Sequence, residues 1–342
     1  MNDPIHRIRI PCYEEQVDLV QDAVRRGELV HGPRLEMLER ALSELFGKKQ
    51  VVLTANGFSA LFLALKAAPS GSGSVRTVPL GTCFVVPHAI RAAGRRPAFS
   101  DVEFNSASLG AGGPEPDADV ALVPDHFGIL APACRKREPG WNLFIEDAAQ
   151  AFHSRVRKKS RADAVVLSFY PTKWANGIDG GAILTDDSEF AERCRRLCAY
   201  SDQRGWEEEV RYNLRMNNVN AAMALGTLAH LDEEAERLEA VFGILAAALR
   251  KRGVAHLAPG AGEVASRLVV AADTEQERER WERHFRSLEI ATSRELMFVC
   301  PAAATGDHPV AQRLVDTTFS LPFHPLLGEP EIDRMEKAIC SL

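Results

Sequence analysis

The sequence predicts an α/β fold with a mostly parallel sheet that is covered on both faces by helices. Between residues 51 and 185, short uninterrupted apolar runs alternate with helical stretches. Strands that are apolar along their whole length indicate burial on both faces, which is typical of parallel sheets. At 342 residues, the chain is long enough for one large domain and a smaller one.

The elements of the first domain follow one another regularly. Residues 14–46 predict two helices around a Gly32-Pro33 turn, because Leu35, Leu38 and Leu42 recur at helical spacing. A strand at 51–53, a turn and a helix at 59–67 come next, and a further helix is expected at 88–93. The remaining strands are expected at 77–80, 96–99, 120–124, 143–145, 164–169 and 182–185.

The last part of the chain has a different pattern. Residues 218–252 predict one long helical stretch that ends before Gly253. A strand at 268–271, a helix at 275–288 and a final helix from Glu329 follow. We therefore predict a large α/β domain over residues 1–225 and a small α+β domain over residues 226–342.

Charge, hydropathy and cysteine spacing argue against several classes of function. The net charge of −6 and the pI of about 6.0 give no electrostatic reason to expect nucleic acid or an anionic membrane as a partner. The sequence has no apolar run of membrane-spanning length, and the N-terminus lacks the apolar core of a secretory signal. Seven cysteines without metal-ligand spacing predict reduced thiols in the cytoplasm and no metal site.

Three polar features stand at the carboxyl ends of predicted strands, where open parallel sheets bind ligands. The Asn56-Gly57 turn opens a helix, whose free N–H groups and dipole favour a phosphate. Asp147 follows one strand and Lys173 follows the next. Pyridoxal 5'-phosphate (PLP) chemistry needs an amine for the aldehyde, a carboxylate that keeps the ring nitrogen protonated, and a phosphate site. Each feature alone is more typical of a surface lysine, a capping aspartate or a plain turn.

Longer motifs carry a more specific resemblance. The segments FIEDAAQAFHS, LSFYPTKWANGIDGGAILTDD and YNLRMNNVNAAMALGTL resemble the DegT/StrS family of PLP-dependent sugar aminotransferases. The resemblance extends over nearly the whole chain, and the motifs occur in the family's order. It implies the type I aminotransferase fold, with a mostly parallel seven-stranded sheet between helices in a large domain, followed by a small C-terminal α+β domain.

The resemblance implies roles for the residues that match the family's cofactor site. Lys173 would hold PLP as a Schiff base and move the proton between the substrate and the cofactor. Asp147 would pair with the pyridine nitrogen, and Gln150 would lie against the ring near its hydroxyl. Ser168 and the backbone at Gly57 would bind the phosphate.

The resemblance also implies partners. Asn213 would reach the phosphate from a second subunit, so a homodimer with shared active sites is expected. The substrates would be a small-molecule amino donor, with glutamate implied by the family, and a nucleotide-linked keto sugar or a similar cyclic ketone.

The sequence departs from the family around the cofactor site. Phe58 follows Gly57 where the family has threonine, and Cys83 stands where the family often has an aromatic ring stacked on the cofactor. Trp174 replaces an asparagine, Ile178 replaces a glycine, and TSRELMFVCPAAA does not match the family's substrate segment. Drift with compensating contacts and a changed substrate both explain these departures.

Four other residues leave alternatives open. His31 lies in a turn near the family's substrate site and fits either a surface position or a substrate contact. Arg215 fits a phosphate or carboxylate contact as well as a structural salt bridge. His324 matches a family position that we take to be structural, and His153 has no assigned role.

Three functions follow from these observations. Amino transfer onto a keto sugar is the leading hypothesis, because Lys173 is present where the family's sugar dehydratases have histidine. A different PLP-dependent reaction on an altered substrate is the second. The third is a non-catalytic regulatory relative, which Phe58 favours and the retention of Lys173 and Asp147 opposes.

Overall fold

A seven-stranded sheet forms the centre of the larger part of the molecule. The structure is a computed structural model and describes residues 3–71, 73–81, 84–110, 118–136, 140–152, 160–200, 209–294, 298–300 and 307–342. The strand order is β1-β8-β7-β6-β5-β2-β4. Six of these strands run in the same direction, and β8 runs in the opposite one. The strands are β1 (Gln50–Thr54), β2 (Ser74–Thr77), β4 (Arg96–Phe99), β5 (Val120–Pro124), β6 (Leu143–Asp147), β7 (Ala164–Ser168) and β8 (Gly181–Thr185).

Smaller sheets and the helices surround this sheet. A three-stranded sheet has the order β12-β10-β9, and a two-stranded ladder joins β11 to β3. These strands are β3 (Leu80–Gly81), β9 (Ala255–His256), β10 (Leu268–Ala271), β11 (Phe298–Val299) and β12 (Thr318–Leu321). The helices are α1 (Glu14–Arg25), α2 (Pro33–Phe46), α3 (Gly57–Ala67), α4 (Val85–Ala92), α5 (Pro132–Arg135), α6 (Ser188–Cys198), α7 (Asn218–Leu228), α8 (Leu231–Lys251), α9 (Glu275–Ser287), α10 (Pro309–Thr317) and α11 (Glu329–Cys340).

The pleat of each strand divides the apolar side chains between two cores. In β1, Val51 and Leu53 pack into the core that contains α2, α7 and α8, whereas Val52 packs into the core that contains α3 and α6. Successive side chains of a strand point to opposite faces of a sheet, so a run that is apolar throughout requires a core on each side. The prediction that helices cover both faces of the sheet is confirmed.

Two of the predicted elements are wrong in detail. The long helix over residues 218–252 is two helices, because α7 ends at Leu228 and the His230 N–H bonds to the Thr227 carbonyl, 3.0 Å away, in a tight turn. The two helices pack on different partners: α7 packs on α1, and α8 packs on α11. The strand expected at 77–80 is divided between β2 and β3, with Pro79, which has no N–H to donate, between them.

The predicted domain boundary near residue 225 falls inside α7, and the division of the chain there stays a prediction.

Among the described residues, no helix combines the length and the apolar character that crossing a bilayer requires.

Gly226 shows how closely α7 packs on α1. A Cβ atom at Gly226 would lie 2.6 Å from both the Cα and the backbone nitrogen of Gln16. We expect Gly226→Ala to lower the free energy of unfolding by about 1–3 kcal/mol, because the two helices would have to separate. Chemical denaturation of the cofactor-free protein measures this change.

Gly243 provides the matched control, because it is exposed in α8 and a Cβ there would meet no atom within 4 Å. Gly243→Ala is expected to raise the free energy of unfolding by roughly 0.5–1 kcal/mol through helix propensity alone. Equal effects of the two substitutions would contradict the tight contact between α1 and α7.

Candidate active site

Two clefts meet at Lys173. The inner cleft, of about 580 Å³, lies at the carboxyl ends of β2, β5 and β6, and its polar lining includes Asp125, His126, Asp147, Gln150, Lys173 and Cys300. The outer cleft, of about 670 Å³, lies between the N-terminal segment, the 171–174 turn, α8 and the C-terminal part of the chain. Ala149, Gln150 and Lys173 line both clefts, so a group attached to Lys173 is accessible from either side.

Asp147 is the last residue of β6 and is 7% exposed. Burial raises the pKa of its carboxyl to about 6, although the Ala149 N–H, 3.1 Å from Oδ1, and the charge of Lys173 both favour the ionised form. A buried carboxylate of this kind is stabilised by a cation brought into the same cleft. The position therefore suits a carboxyl group that holds a protonated ring nitrogen.

Lys173 follows β7 in a turn in which its N–H donates to the Tyr170 carbonyl at 2.8 Å. The next residue, Trp174, is buried, and its indole N–H donates to the Gln150 carbonyl at 3.3 Å. The Gln150 side chain in turn accepts a hydrogen bond from the Phe127 N–H at 3.2 Å. Trp174 therefore connects the turn of Lys173 to the segment that contains Asp147 and Gln150.

Gly57 and Ser168 lie against each other at the carboxyl ends of β1 and β7. A Cβ at Gly57 would lie 2.8 Å from the Ser168 Cβ and 3.0 Å from its Oγ, so only glycine allows this approach. Gly57 is the first residue of α3, and the Asn56 side chain caps the helix by accepting from the Ser59 N–H at 2.8 Å. The N–H groups of a first helical turn and a serine hydroxyl are donors of the kind that bind phosphate, so the phosphate role of Gly57 and Ser168 stays a prediction.

Gly57→Ala tests this phosphate site. The added methyl group would push the start of α3 away from Ser168, and overpacking of this kind costs about 1–3 kcal/mol. If the cost falls on cofactor binding, PLP affinity drops by about 5- to 150-fold. Absorbance titration of the cofactor-free protein with PLP measures the change, and an unaltered affinity would place the phosphate elsewhere.

The other predicted cofactor residues are arranged differently. Phe58 is exposed, and its ring lies parallel to that of Phe62 with the centroids 6.4 Å apart. Asn213 is also exposed and lines neither cleft of its own chain, although the adjacent Leu214 carbonyl accepts from the Ala55 N–H, 2.6 Å away, beside the phosphate turn. Cys83 lies outside the described residues.

Of the remaining residues named from the sequence, His324 lines the outer cleft, and the other described ones line neither cleft. His31 is exposed and lines neither cleft, whereas His324 is buried and lines the outer cleft. The Arg215 guanidinium lies over the Tyr200 ring, 5.7 Å from its centroid. His153 lies outside the described residues. Ile178 has a φ of 65°, a left-handed conformation that a β-branched side chain tolerates poorly and the family's glycine adopts freely.

The sequence prediction missed His126, which lines the inner cleft. The distance between its Nδ1 and the Ala107 carbonyl is 2.6 Å, so Nδ1 carries the proton, and burial lowers the pKa of the ring below its usual range. His126 is thus a neutral group close to Asp147. It stands just after the apolar run of β5, and the rule that identified Asp147 at a strand end applied to it equally.

The seven-stranded, mostly parallel sheet between helices is the architecture of the type I aminotransferase fold. The aminotransferase TlmJ from Streptoalloteichus hindustanus has this fold, with a TM-score of 0.86, 25% identity and coverage of 99% of this chain and 98% of TlmJ. NtdA from Bacillus subtilis, whose structure contains the bound cofactor PMP, has the same fold with a TM-score of 0.82. Its sequence is 20% identical to this chain, and the match covers 95% of this chain and 80% of NtdA.

The sequence profile of the DegT/DnrJ/EryC1/StrS aminotransferase family matches residues 12–111 and 141–340, and the chain belongs to this family. The chain is therefore an aminotransferase. It is 30% identical to the dTDP-3-amino-3,4,6-trideoxy-alpha-D-glucose transaminase of Micromonospora megalomicea subsp. nigra. That alignment covers 94% of this chain and 93% of the relative.

Proposed function

We propose that this aminotransferase moves an amino group from an amino acid, with glutamate as the expected donor, to a nucleotide-linked keto sugar or a similar cyclic ketone. The observation that carries the proposal is the inner cleft, in which Lys173 and the buried carboxyl of Asp147 interact electrostatically. The acceptor class is supported by the transaminase relative, whose name describes a dTDP-linked amino sugar.

Residues of the inner cleft, together with Gly57 and Ser168, which line neither cleft, fit PLP. Lys173 would hold the cofactor through its amine, Asp147 would face the ring nitrogen, and Gly57 with Ser168 would bind the phosphate. When bound, PLP supplies an electron sink for negative charge at the substrate's α carbon. Burial raises the pKa of Asp147, so its ionised carboxyl lacks full compensation from the protein, and a protonated ring nitrogen would provide that compensation.

The chain's own groups then account for the proton transfers. Lys173, at the junction of the two clefts, can take a proton from the substrate's α carbon and return one to the cofactor side. Asp147 would keep the ring nitrogen protonated, and the neutral His126 would add no charge beside that pair. Trp174 and Gln150 hold the turn of Lys173 in place through their hydrogen bond.

Two observations on the purified protein test the proposal. Borohydride reduction after addition of PLP, followed by peptide mapping, should locate the pyridoxyl group on Lys173. Incubation with a panel of amino acids and no acceptor should then convert one of them, with glutamate expected, to its oxo acid. A protein that binds PLP and converts no amino acid would contradict amino transfer.

The second candidate, a different PLP-dependent reaction on an altered substrate, is favoured by the residues around Lys173. Trp174 is buried beside the lysine, and Ile178 is held in a conformation that suits glycine. Consumption of an amino acid without formation of its oxo acid, in the same assay, would select this candidate. A non-catalytic relative would fail to take up PLP.

A homodimer in the cytoplasm completes the proposal. Phe58, Phe84, Tyr170 and Ile178 are exposed apolar residues near the ends of the strands that line the clefts, and a second subunit would cover them. The six described cysteines are free, as expected in a reducing compartment. Sedimentation analysis of the PLP-loaded protein tests the dimer.

A further inference from the structure

The outer cleft contains charged groups that the proposed cofactor site does not use. Arg9, Glu234 and Arg267 line it together with Lys173. Arg9 is paired with Glu331, and the Glu234 carboxyl accepts a hydrogen bond from the Tyr13 hydroxyl. Burial lowers the pKa of His324, in the same cleft, to about 4, so that ring is neutral at physiological pH. Arg267 is therefore the group whose charge requires an explanation.

Arg267 has no carboxylate partner among the residues that the structure describes. Its Nη1 donates to the Ser266 carbonyl at 2.8 Å, while its Nε is buried without a hydrogen-bond partner. The Ser266 hydroxyl, which lines the same cleft, is also buried and unpaired. Two adjacent residues that line one cleft thus contain unsatisfied buried polar atoms, and such atoms are expensive to bury without a hydrogen-bond partner.

The environment of Arg267 disfavours its own charge. Burial, with a contribution from the charge of Arg7, lowers the pKa of the guanidinium to about 10, which still leaves it protonated at neutral pH. The fold thus keeps an uncompensated cation at this place. A buried cation without a partner is destabilising, whereas the same cation binds an incoming anion strongly.

Arg267 is also held at a fixed position relative to the cofactor site. The Ser266 N–H donates to the Phe127 carbonyl at 2.8 Å, and the Phe127 N–H donates to the Gln150 side chain at 3.2 Å. Two hydrogen bonds therefore link the segment of Arg267 to Gln150, which lines both clefts. Gly128, with a φ of 84°, lets the backbone at 127–128 come close to the backbone at 264–266, because a Cβ at Gly128 would lie 2.1 Å from the Val264 carbonyl oxygen.

We propose that Arg267, assisted by the Ser266 hydroxyl, binds a carboxylate of the amino donor in the outer cleft. The inference rests on the proposed function and specifies the site at which the donor is recognised. A planar guanidinium matches a carboxylate with two parallel hydrogen bonds. A diphosphate carries more negative charge, but Arg9 is already neutralised by Glu331 and Glu234 adds a carboxyl group to the cleft. Arg267 is thus the one arginine of the described cleft lining without a carboxylate partner, and a single guanidinium suits a carboxylate better.

Calorimetric titration of the PLP-loaded enzyme with glutarate tests the proposal. Glutarate has the carboxylates of an acidic donor and no amine, so its binding is measured without turnover. We expect Arg267→Met to weaken glutarate binding by about 10- to 100-fold, since a charge-assisted contact is lost. Arg267→Lys should weaken glutarate binding less than Arg267→Met does. Arg9→Met, which removes a cation already paired with Glu331, should change the affinity least.

Thermal unfolding of the same variants distinguishes a binding arginine from a structural one. Arg267→Met removes a half-buried charge that has no carboxylate partner among the described residues, so its melting temperature should equal or exceed that of the wild type. A lower melting temperature with unchanged glutarate affinity would overturn the proposal, and so would a wild type that binds no glutarate. A parallel titration with pyrophosphate examines the phosphate alternative, and loss of that affinity alone in Arg267→Met would overturn the carboxylate assignment.

The glutarate titration is independent of the proposed function, because it requires no turnover. If Arg267 binds glutarate while no amino acid is converted to its oxo acid, the proposed function fails and the carboxylate site stands. If glutamate is converted with an unchanged KM in Arg267→Met, the proposed function stands and the assignment of Arg267 fails.

Discussion

Replacing Lys173 with alanine is expected to lower kcat for amino transfer by at least about 10²- to 10⁴-fold, the range that loss of a positioned acid–base group produces. The loss should be larger still if the amine also holds the cofactor covalently. Lys173 is the lysine that lines both clefts. The variant should still bind PLP, because Gly57, Ser168 and Asp147 remain in place.

Lys173→Arg separates the charge of this residue from its chemistry. An arginine keeps a positive charge near Asp147 but stays protonated, so it can neither attack an aldehyde nor accept a proton at neutral pH. We therefore expect Lys173→Arg to be as inactive as Lys173→Ala. Lys66→Ala, an exposed lysine of α3, is the control and should retain full activity. Substantial kcat in either Lys173 variant would remove this lysine from the mechanism.

Asp147→Asn is expected to abolish most of the activity while stabilising the cofactor-free protein. Asparagine keeps an oxygen that can accept from the Ala149 N–H, but it cannot hold a proton on the ring nitrogen. The folded-state pKa of Asp147, about 6 against an ordinary 3.8, means that ionisation opposes folding. The difference of about two units corresponds to about 3 kcal/mol.

The pH dependence of the Asp147→Asn effect follows from the sign of that shift. Below about pH 4 the carboxyl is protonated in both states, so wild type and variant should unfold with similar free energies. Between about pH 4 and 6 the wild type should lose stability relative to the variant, and above pH 6 the gap should stay constant. Denaturation of both cofactor-free proteins across this range measures the gap, and parallel curves would show that Asp147 is not held in a destabilising environment.

Addition of PLP should reverse the order of stability. A protonated ring nitrogen would compensate the wild-type carboxylate and not the amide, so PLP should raise the melting temperature of the wild type more than that of Asp147→Asn. Equal shifts would mean that the ring nitrogen lies away from Asp147.

The sequence predicted the parts of the site that depend on local order along the chain. Asp147, Ser168 and Lys173 stand at or just after the ends of adjacent strands, and parallel pairing of β6 with β7 brings those ends to one edge. Apolar runs of strand length, followed by polar residues, indicated this arrangement for Asp147 and Lys173, whereas Ser168 was named from the family resemblance. The roles assigned to these residues stay predictions that the variants above test.

The parts that sequence could not predict depend on contacts between distant segments. Arg267 faces the outer cleft because Ser266 bonds to the backbone of Phe127, and no local pattern around residue 267 indicates that partner. The break between α7 and α8 likewise follows from their packing on α1 and α11. Helical periodicity continues across residues 229–230, so the pattern alone predicted one helix.

The ladder between β3 and β11 has a consequence for how the enzyme can be divided. Val299 pairs with Leu80, and the Cys300 N–H donates to the Pro79 carbonyl at 2.7 Å, so the C-terminal part of the chain supplies one wall of the inner cleft. A fragment that stops at residue 225 would keep all seven strands of the large sheet and still lack that wall. A protease cut at that point, followed by separation of the pieces, would therefore remove Cys300 from the lining of the inner cleft and the α8 side chains from one core of the sheet.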